Sequence, residues 1–202
     1  MISVIVKVGG SVADRLEVIF RALSKAERAY VIPGGWVFAD AVRKVDAGLS
    51  PTTSHWMAIA AMNIYGLFIA EVAENYGFSV LEPNEFKEFE KCKRAVVLPY
   101  MLLRKYDELP HSWDVTSDSI SVWFAHMLGF KEVVKVTAAG GISGEKDILP
   151  AVKASDVKSN VVDPYTPELL LKYGINMFVC SPEELKDYIL RGRAKGTLIE
   201  GR

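Results

Sequence analysis

A three-layer α/β/α sandwich around a central, mostly parallel, open sheet is the architecture expected of this 202-residue chain. Three observations carry the expectation. Short apolar runs alternate with helix-length segments from one end to the other. Two early runs stop at glycine pairs, Gly9-Gly10 and Gly34-Gly35, that open directly into helices. The first run is apolar at consecutive rather than alternate positions, as in a strand buried on both faces of a parallel sheet.

That first run, residues 1–11, places Ile2, Val4, Ile5, Val6 and Val8 around a single lysine, Lys7, and ends in Gly9-Gly10-Ser11. A lysine so placed is costly unless an anion meets it. Strand, glycine turn and helix together offer backbone N–H groups and a helix N-terminus to phosphate. A tight turn with a snorkelling lysine is the plainer alternative. Ser11 and Asp14 are candidate caps for the helix of Val18, Ile19 and Leu23. Tyr30-Val31-Ile32 is a second strand, stopped by Pro33-Gly34-Gly35, with a helix over 37–45. Two such units imply neighbouring parallel strands with glycine loops at one sheet edge, where open α/β sheets bind ligands.

Residues 53–76 read as a long helix capped by Thr53 or Ser54, stopped by Gly77 and apolar nearly all round, so that it needs cover on two sides. His55 and Trp56 near its start serve capping or packing. Strands at 79–81 and 95–98 flank a charged helix over 85–93, and 102–109 is a weaker helical segment. Residues 110–115 combine a proline, an imidazole, a hydroxyl, an indole and a carboxylate in one loop. Thr116-Ser117-Asp118-Ser119 opens the next helix, where Asp118 also complements the helix dipole, and Gly129 closes it. The strand over 132–137 leads into Ala138-Ala139-Gly140-Gly141. Further strands are expected at 161–163, 175–179 and 197–199, with helices at 167–173 and 182–190. Lys135 can reach a phosphate or pair with a carboxylate; His126 reads as structural; Asp163 ends a strand at the ligand edge.

Half of the chain is hydrophobic and its formal charge is -1, which fits a globular protein and leaves no electrostatic footprint for nucleic acid or an anionic membrane. Cys92 and Cys180 match neither a disulfide framework nor a metal-ligand spacing. No signal peptide is evident, no apolar stretch reads as long and clean enough to span a bilayer, and a single cytoplasmic domain over 1–202 is expected. The terminal Ile199-Glu200-Gly201-Arg202 resembles a protease-recognition tail.

Four features, in order, resemble the amino acid kinase superfamily: Lys7-Val8-Gly9-Gly10-Ser11, Pro33-Gly34-Gly35, Asp114 with Thr116-Ser117-Asp118-Ser119, and Lys135-Val136-Thr137 with Gly141-Ile142. They span most of the chain, and neither the P-loop nor the dinucleotide fingerprint has these spacings. Phe38-Ala39-Asp40, His55-Trp56-Met57-Ala58 and above all Leu109-Pro110-His111-Ser112-Trp113-Asp114 resemble an archaeal branch of methanofuran biosynthesis, whose kinase phosphorylates an aminomethylfuran-methyl phosphate to the diphosphate. Two departures stand out: Trp36 occupies the place of a usual third glycine, and Thr137-Ala138-Ala139 replaces a usual Thr-Asp-Val.

The resemblance implies an ATP- and Mg²⁺-dependent phosphotransferase. In it Lys7 faces the transferring phosphoryl and Asp118 holds a catalytic lysine in place. Gly9, Gly10, Ser11, Gly34 and Gly35 bind phosphate. Lys135, Thr137, Gly140, Gly141 and Asp163 border the nucleotide. Trp36, His111, Ser112 and Thr116 take the acceptor, with Trp36 or Trp113 against a flat ring. An acceptor that is already a phosphate monoester needs no strong base, since its oxygen is ionised near neutral pH, and none is obvious beside Lys7. A uridylate or isopentenyl phosphate kinase and a non-catalytic nucleotide-binding regulator are the alternatives. Self-association through the long helix is expected.

Overall fold

The computed structural model describes residues 2–145, 147–158 and 160–202; Met1, which opens the first expected strand, lies outside them. One sheet of eight strands forms the middle layer, in the order β3-β4-β2-β1-β5-β7-β8-β6. The strands are β1 (Ser3–Val8), β2 (Arg28–Pro33), β3 (Ser79–Leu81), β4 (Arg94–Val97), β5 (Glu132–Val136), β6 (Ala151–Lys153), β7 (Asn176–Cys180) and β8 (Thr197–Glu200). All neighbours run parallel except β7 and β8.

Alternation along β1 sets the two outer layers. Val4, Val6 and Val8 pack with α1 (Leu16–Leu23) and α7 (Pro182–Arg191) on one face. Ile5 packs on the other with α4 (Tyr100–Tyr106), α5 (Ser117–Met127) and α6 (Thr166–Tyr173). Period-2 geometry puts Lys7 on the α5 side with Ile5. The parallel register sets Lys7 beside Lys135 of β5, on strands about 4.8 Å apart. Two ammonium groups thus point the same way under the start of one helix.

The remaining helices are α2 (Trp36–Val45) and α3 (Pro51–Ala73), and α3 ends through a 3₁₀ turn, Glu74–Tyr76, at Gly77 in the left-handed region (φ 77°). Trp56, Ile59 and Met62 of α3 join one core and Tyr65, Ile69 and Ala73 the other, so its two-sided apolarity is used. By length and hydropathy (1.5 over its best window) Pro51–Tyr76 is apolar enough to cross a bilayer, contrary to expectation. Here it lies against β2 and β4 of the sheet.

Several local expectations are corrected. Ser50, not Thr53 or Ser54, caps α3, accepting from the Thr53 N–H at 3.2 Å, with Pro51 in the first turn where its missing N–H costs nothing. A 3₁₀ segment, Gly10–Arg15, intervenes before α1, and neither Ser11 nor Asp14 caps it. The charged segment is 3₁₀ (Phe86–Lys91), closed by a reciprocal Glu85–Glu88 box. Residues 161–163 form no strand, while β6 at Ala151–Lys153 was not foreseen. The C-terminal residues are built into the sheet. Glu200 pairs with Lys153, the Gly201 N–H donates to Asn176 Oδ1 (3.1 Å) and Arg202 donates to the Gly174 carbonyl (2.8 Å).

Candidate active site

Asp118 sits in the first turn of α5 directly above the paired lysines. Its Oδ1 meets Lys7 Nζ at 3.1 Å and its Oδ2 accepts from Lys135 Nζ at 2.6 Å. Lys135 also donates to the Val161 carbonyl. All three side chains are buried, with Lys7 8%, Asp118 3% and Lys135 6% exposed. Burial works against ionising Asp118, but the charges of Lys7 and Lys135 outweigh it and hold the carboxyl below its usual range. Burial, and then the charge of Lys7, push Lys135 down to about 8 despite the pull of Asp118. One carboxylate therefore serves two cations, which leaves net positive charge in a low-dielectric pocket.

Two cavities meet at Lys7. One, of about 470 Å³, is a groove lined by Lys7, Gly9, Gly10, Ser11, Lys135, Val136, Thr137, Ala139, Asn160 and Val161. The other, of about 620 Å³, shares Lys7, Gly9, Gly10 and Ser11, then runs along α2 and the start of α3 to the 111–117 loop. Lys7 and the first glycine turn thus form a wall with a cavity on either side.

The glycines make that wall thin. A Cβ on Gly9 would lie 3.0 Å from Lys7 Nζ, so Gly9 clears room for the ammonium. A Cβ on Gly34 would lie 3.3 Å from Gly9 Cα, so glycine at 34 lets the two turns approach this closely. Gly34 donates its N–H to the Val8 carbonyl (2.8 Å), so its contribution to a phosphate site is this close approach and not a free amide. From α3, the Tyr65 hydroxyl donates to the Gly9 carbonyl at 3.2 Å. Burial pushes that phenol up, keeping it a donor. Because peptide C=O and N–H point opposite ways, this bond aims the Gly10 N–H away from Tyr65.

Trp36 explains its own departure from the glycine pattern. Its φ is 47°, in the left-handed region that ordinarily favours glycine, a strain of roughly 1–2 kcal/mol for a side chain with a Cβ. The indole packs on Tyr65 and Phe68, each with ring centroids at 5.1 Å, and lies over Gly10. A Cβ on Gly10 would sit 2.2 Å from it. Trp36 lines the 620 Å³ cavity while buttressing the glycine turn.

His111, Ser112 and Thr116 also line that cavity. His111 stacks on His55 at 4.3 Å, donates from Nε2–H to Asp107 (2.8 Å) and pairs through Nδ1 with the Thr52 hydroxyl (2.9 Å). Burial, then His111, push His55 down to about 4, leaving it neutral at pH 7. The sequence pattern did not point to Arg43 or Asp46, and it marked Ser54 only as a candidate helix cap. Asp46 Oδ2 accepts from Trp113 Nε1 (3.0 Å), its Oδ1 accepts from the Ser54 hydroxyl, and Arg43 lies over the Trp113 ring at 4.5 Å. Arg43 and Asp46 follow Asp40 at intervals of three along α2 and its C-cap, and that spacing was the signal available.

Three expected nucleotide residues are not in the groove lining. Gly140 (φ 69°) and Gly141 (φ 155°) form the turn behind Thr137, and a Cβ on Gly141 would meet Ile148 Cγ2 at 2.4 Å and Thr197 Oγ1 at 2.7 Å, so Gly141 clears room for Ile148 and the start of β8. Asp163 is buried and accepts from backbone and hydroxyl of Thr116 (2.9 and 2.8 Å), Ser119 (3.0 and 2.5 Å) and Thr166 (2.9 and 2.8 Å). That makes it a shared cap for α5 and α6. Ser11 and Thr137 do reach the groove and approach each other at 3.4 Å.

The model of the Amino acid kinase family matches residues 3–181. The chain belongs to that family. The [5-(aminomethyl)furan-3-yl]methyl phosphate kinase of Methanocaldococcus jannaschii is 35% identical over 204 residues, covering 94% of this chain and 93% of the relative. Among solved structures, uridylate kinase from Archaeoglobus fulgidus superposes with a TM-score of 0.75 at 17% identity, covering 98% of this chain and 100% of that one. UMP kinase from Ureaplasma parvum gives 0.72 at 13% identity, covering 99% and 100%. These two likenesses carry the fold. The chain is a kinase, and Lys7, held with Lys135 by the buried Asp118, stands at the meeting of its two cavities.

Proposed function

We propose that this kinase transfers the terminal phosphoryl of ATP, across the Lys7 wall, onto the phosphate of [5-(aminomethyl)furan-3-yl]methyl phosphate. The observation that carries the reading is the shared wall: one ammonium, held by a buried carboxylate, faces a groove on one side and a larger cavity on the other. Phosphoryl transfer asks a protein mainly for positioning and charge stabilisation. In this reading Lys7 and the Gly10 N–H meet the oxygens of the moving phosphoryl, and Asp118 keeps Lys7 and Lys135 aimed. Ser11, Lys135 and Thr137 bind the nucleotide from the groove. The acceptor's phosphate sits by Gly34 and Gly35, with His111, Ser112, Thr116 and the Trp113 ring around its furan. Its oxygen is already ionised, so no general base is required.

The groove lining offers hydroxyls and an amide but no carboxylate. Mg²⁺ would therefore find no carboxylate there; it would come with the nucleotide, with Ser11, Thr137 and Asn160 as the oxygen donors that the groove offers beside the phosphates. When bound it neutralises charge on the phosphate oxygens; the protein supplies the lysines. We read the chain as a single cytoplasmic catalytic unit that self-associates through α3, whose Ile64, Leu67 and Phe68 are 49%, 56% and 45% exposed.

ATP consumption measured side by side with the furan phosphate, its unphosphorylated alcohol, uridylate and isopentenyl phosphate tests the reading. Preference for the furan phosphate is the expected outcome. Preference for the alcohol overturns transfer to a phosphate, preference for either of the others moves the acceptor, and ATP binding without turnover on any of the four makes the chain a non-catalytic binder.

A further inference from the structure

The acceptor-side cavity has unlike ends. Lys7 and the N-terminus of α2 form a positive end, because a helix N-terminus carries partial positive charge. Along α2, the cavity-lining residues after the glycine turn include Asp40, Arg43 and Asp46. The Arg43 guanidinium lies over the Trp113 ring. Asp46 is held by Ser54 and Trp113, and those hydrogen bonds keep its carboxyl below the usual range. Asp40 is exposed and has no hydrogen-bond or ion-pair partner among the described residues. With His55 of α3 neutral, its imidazole adds no positive charge there, and along α2 one guanidinium, Arg43, stands against two carboxylates.

We infer that Asp40 receives an ammonium group on the acceptor, so that the cavity selects phosphate monoesters bearing an amine at the far end of a short, flat molecule. The inference rests on the acceptor reading given above and extends it to a residue and a selection rule. The length of α2 decides between the two aspartates. At 1.5 Å per residue, Asp40 lies about 7.5 Å beyond Gly35 along the helix axis and Asp46 about 16 Å. A five-membered ring with a one-carbon arm on either side spans the first distance and falls short of the second. Helical side chains also lean back toward the N-terminus, which brings the Asp40 carboxylate toward the phosphate end. Asp46 instead fixes the Trp113 ring. A primary amine is protonated at pH 7, and an unpaired carboxylate at the mouth of a cavity is its natural partner.

The test compares the aminomethylfuran phosphate with its analogue carrying methyl in place of aminomethyl, in the wild type and in Asp40→Asn. The wild type is expected to prefer the amine by about two- to fivefold in kcat/KM, the worth of an ion pair at an exposed carboxylate. Asp40→Asn is expected to bring that ratio close to one, mainly by raising KM for the amine, with KM for ATP as the control for an intact groove. Equal use of both furans by the wild type overturns the inference and leaves the phosphate-acceptor reading standing, as does an unchanged ratio in Asp40→Asn. A wild type that uses neither furan but phosphorylates uridylate or isopentenyl phosphate removes both, and is distinguishable because no variant is needed to see it.

Discussion

Asp118 and Asp163 are both buried at the start of α5, and the Asp163 N–H donates to Asp118 Oδ2 at 3.2 Å. Asp163 divides its oxygens among neutral hydroxyls and amides of three residues that begin two helices. Asp118 gives its oxygens to two ammonium groups and only one backbone amide, and both of those ammonium groups open onto cavities. Identical side chains a few ångströms apart thus do different work. One fixes where the helices start; the other holds two cations that border open cavities, which in the proposed reaction are the cations that meet the phosphoryl group. What distinguishes them is the chemistry of their partners and not their depth.

The comparison can be broken most sharply at Lys7. Lys7→Ala should lower kcat by roughly 10²–10³ or more, the scale seen when a preorganised donor to a transition state is removed, with a smaller change in ATP affinity. Steady-state kinetics check this, and near-normal turnover removes the cation side of the contrast. Asp163→Ala should act on stability instead. Each buried donor left without its acceptor costs about 1–3 kcal/mol, so denaturant melts should show a loss of roughly 3 kcal/mol or more, with kcat per folded molecule within about tenfold of wild type.

A smaller effect sharpens the picture through pH. Lys135 sits at about 8 in the folded chain against an ordinary 10.5. The pH profile of kcat/KM for ATP reports the free enzyme, and it should fall as pH rises through about 8, where Lys135 loses its proton. Stability runs the other way for this group. Between about 8 and the ordinary lysine value the unfolded chain holds the extra proton, so the fold gains stability as pH rises through that window.

Much of this was legible in the sequence because it depends on local pattern. Consecutive apolar residues and glycine turns mark β1 and β2, and a lysine in a buried run demands an anion, which pointed to Lys7. What was not legible depends on partners distant in the chain. Asp163 reads as a strand-end carboxylate until Thr116, Ser119 and Thr166 are seen around it. Gly140 and Gly141 read as a nucleotide turn until β8 is placed behind them. Trp36 reads as a departure from the glycine pattern that can meet a flat ring; its support of Gly10 requires Tyr65 and Phe68 of α3 at its back. β6 is three residues long and carries no periodicity to detect.

The most direct measurement is the turnover of Asp118→Asn at saturating ATP·Mg²⁺ and acceptor, expressed per folded molecule from circular dichroism of the same sample. Asparagine keeps the size of the side chain and its ability to cap, and removes only the charge that holds Lys7 and Lys135. A fall of about 10²-fold or more in kcat is the result predicted for a carboxylate that organises the transfer centre. Turnover within a fewfold of wild type, with the loss confined to stability, would show that Asp118 does no more than Asp163 does.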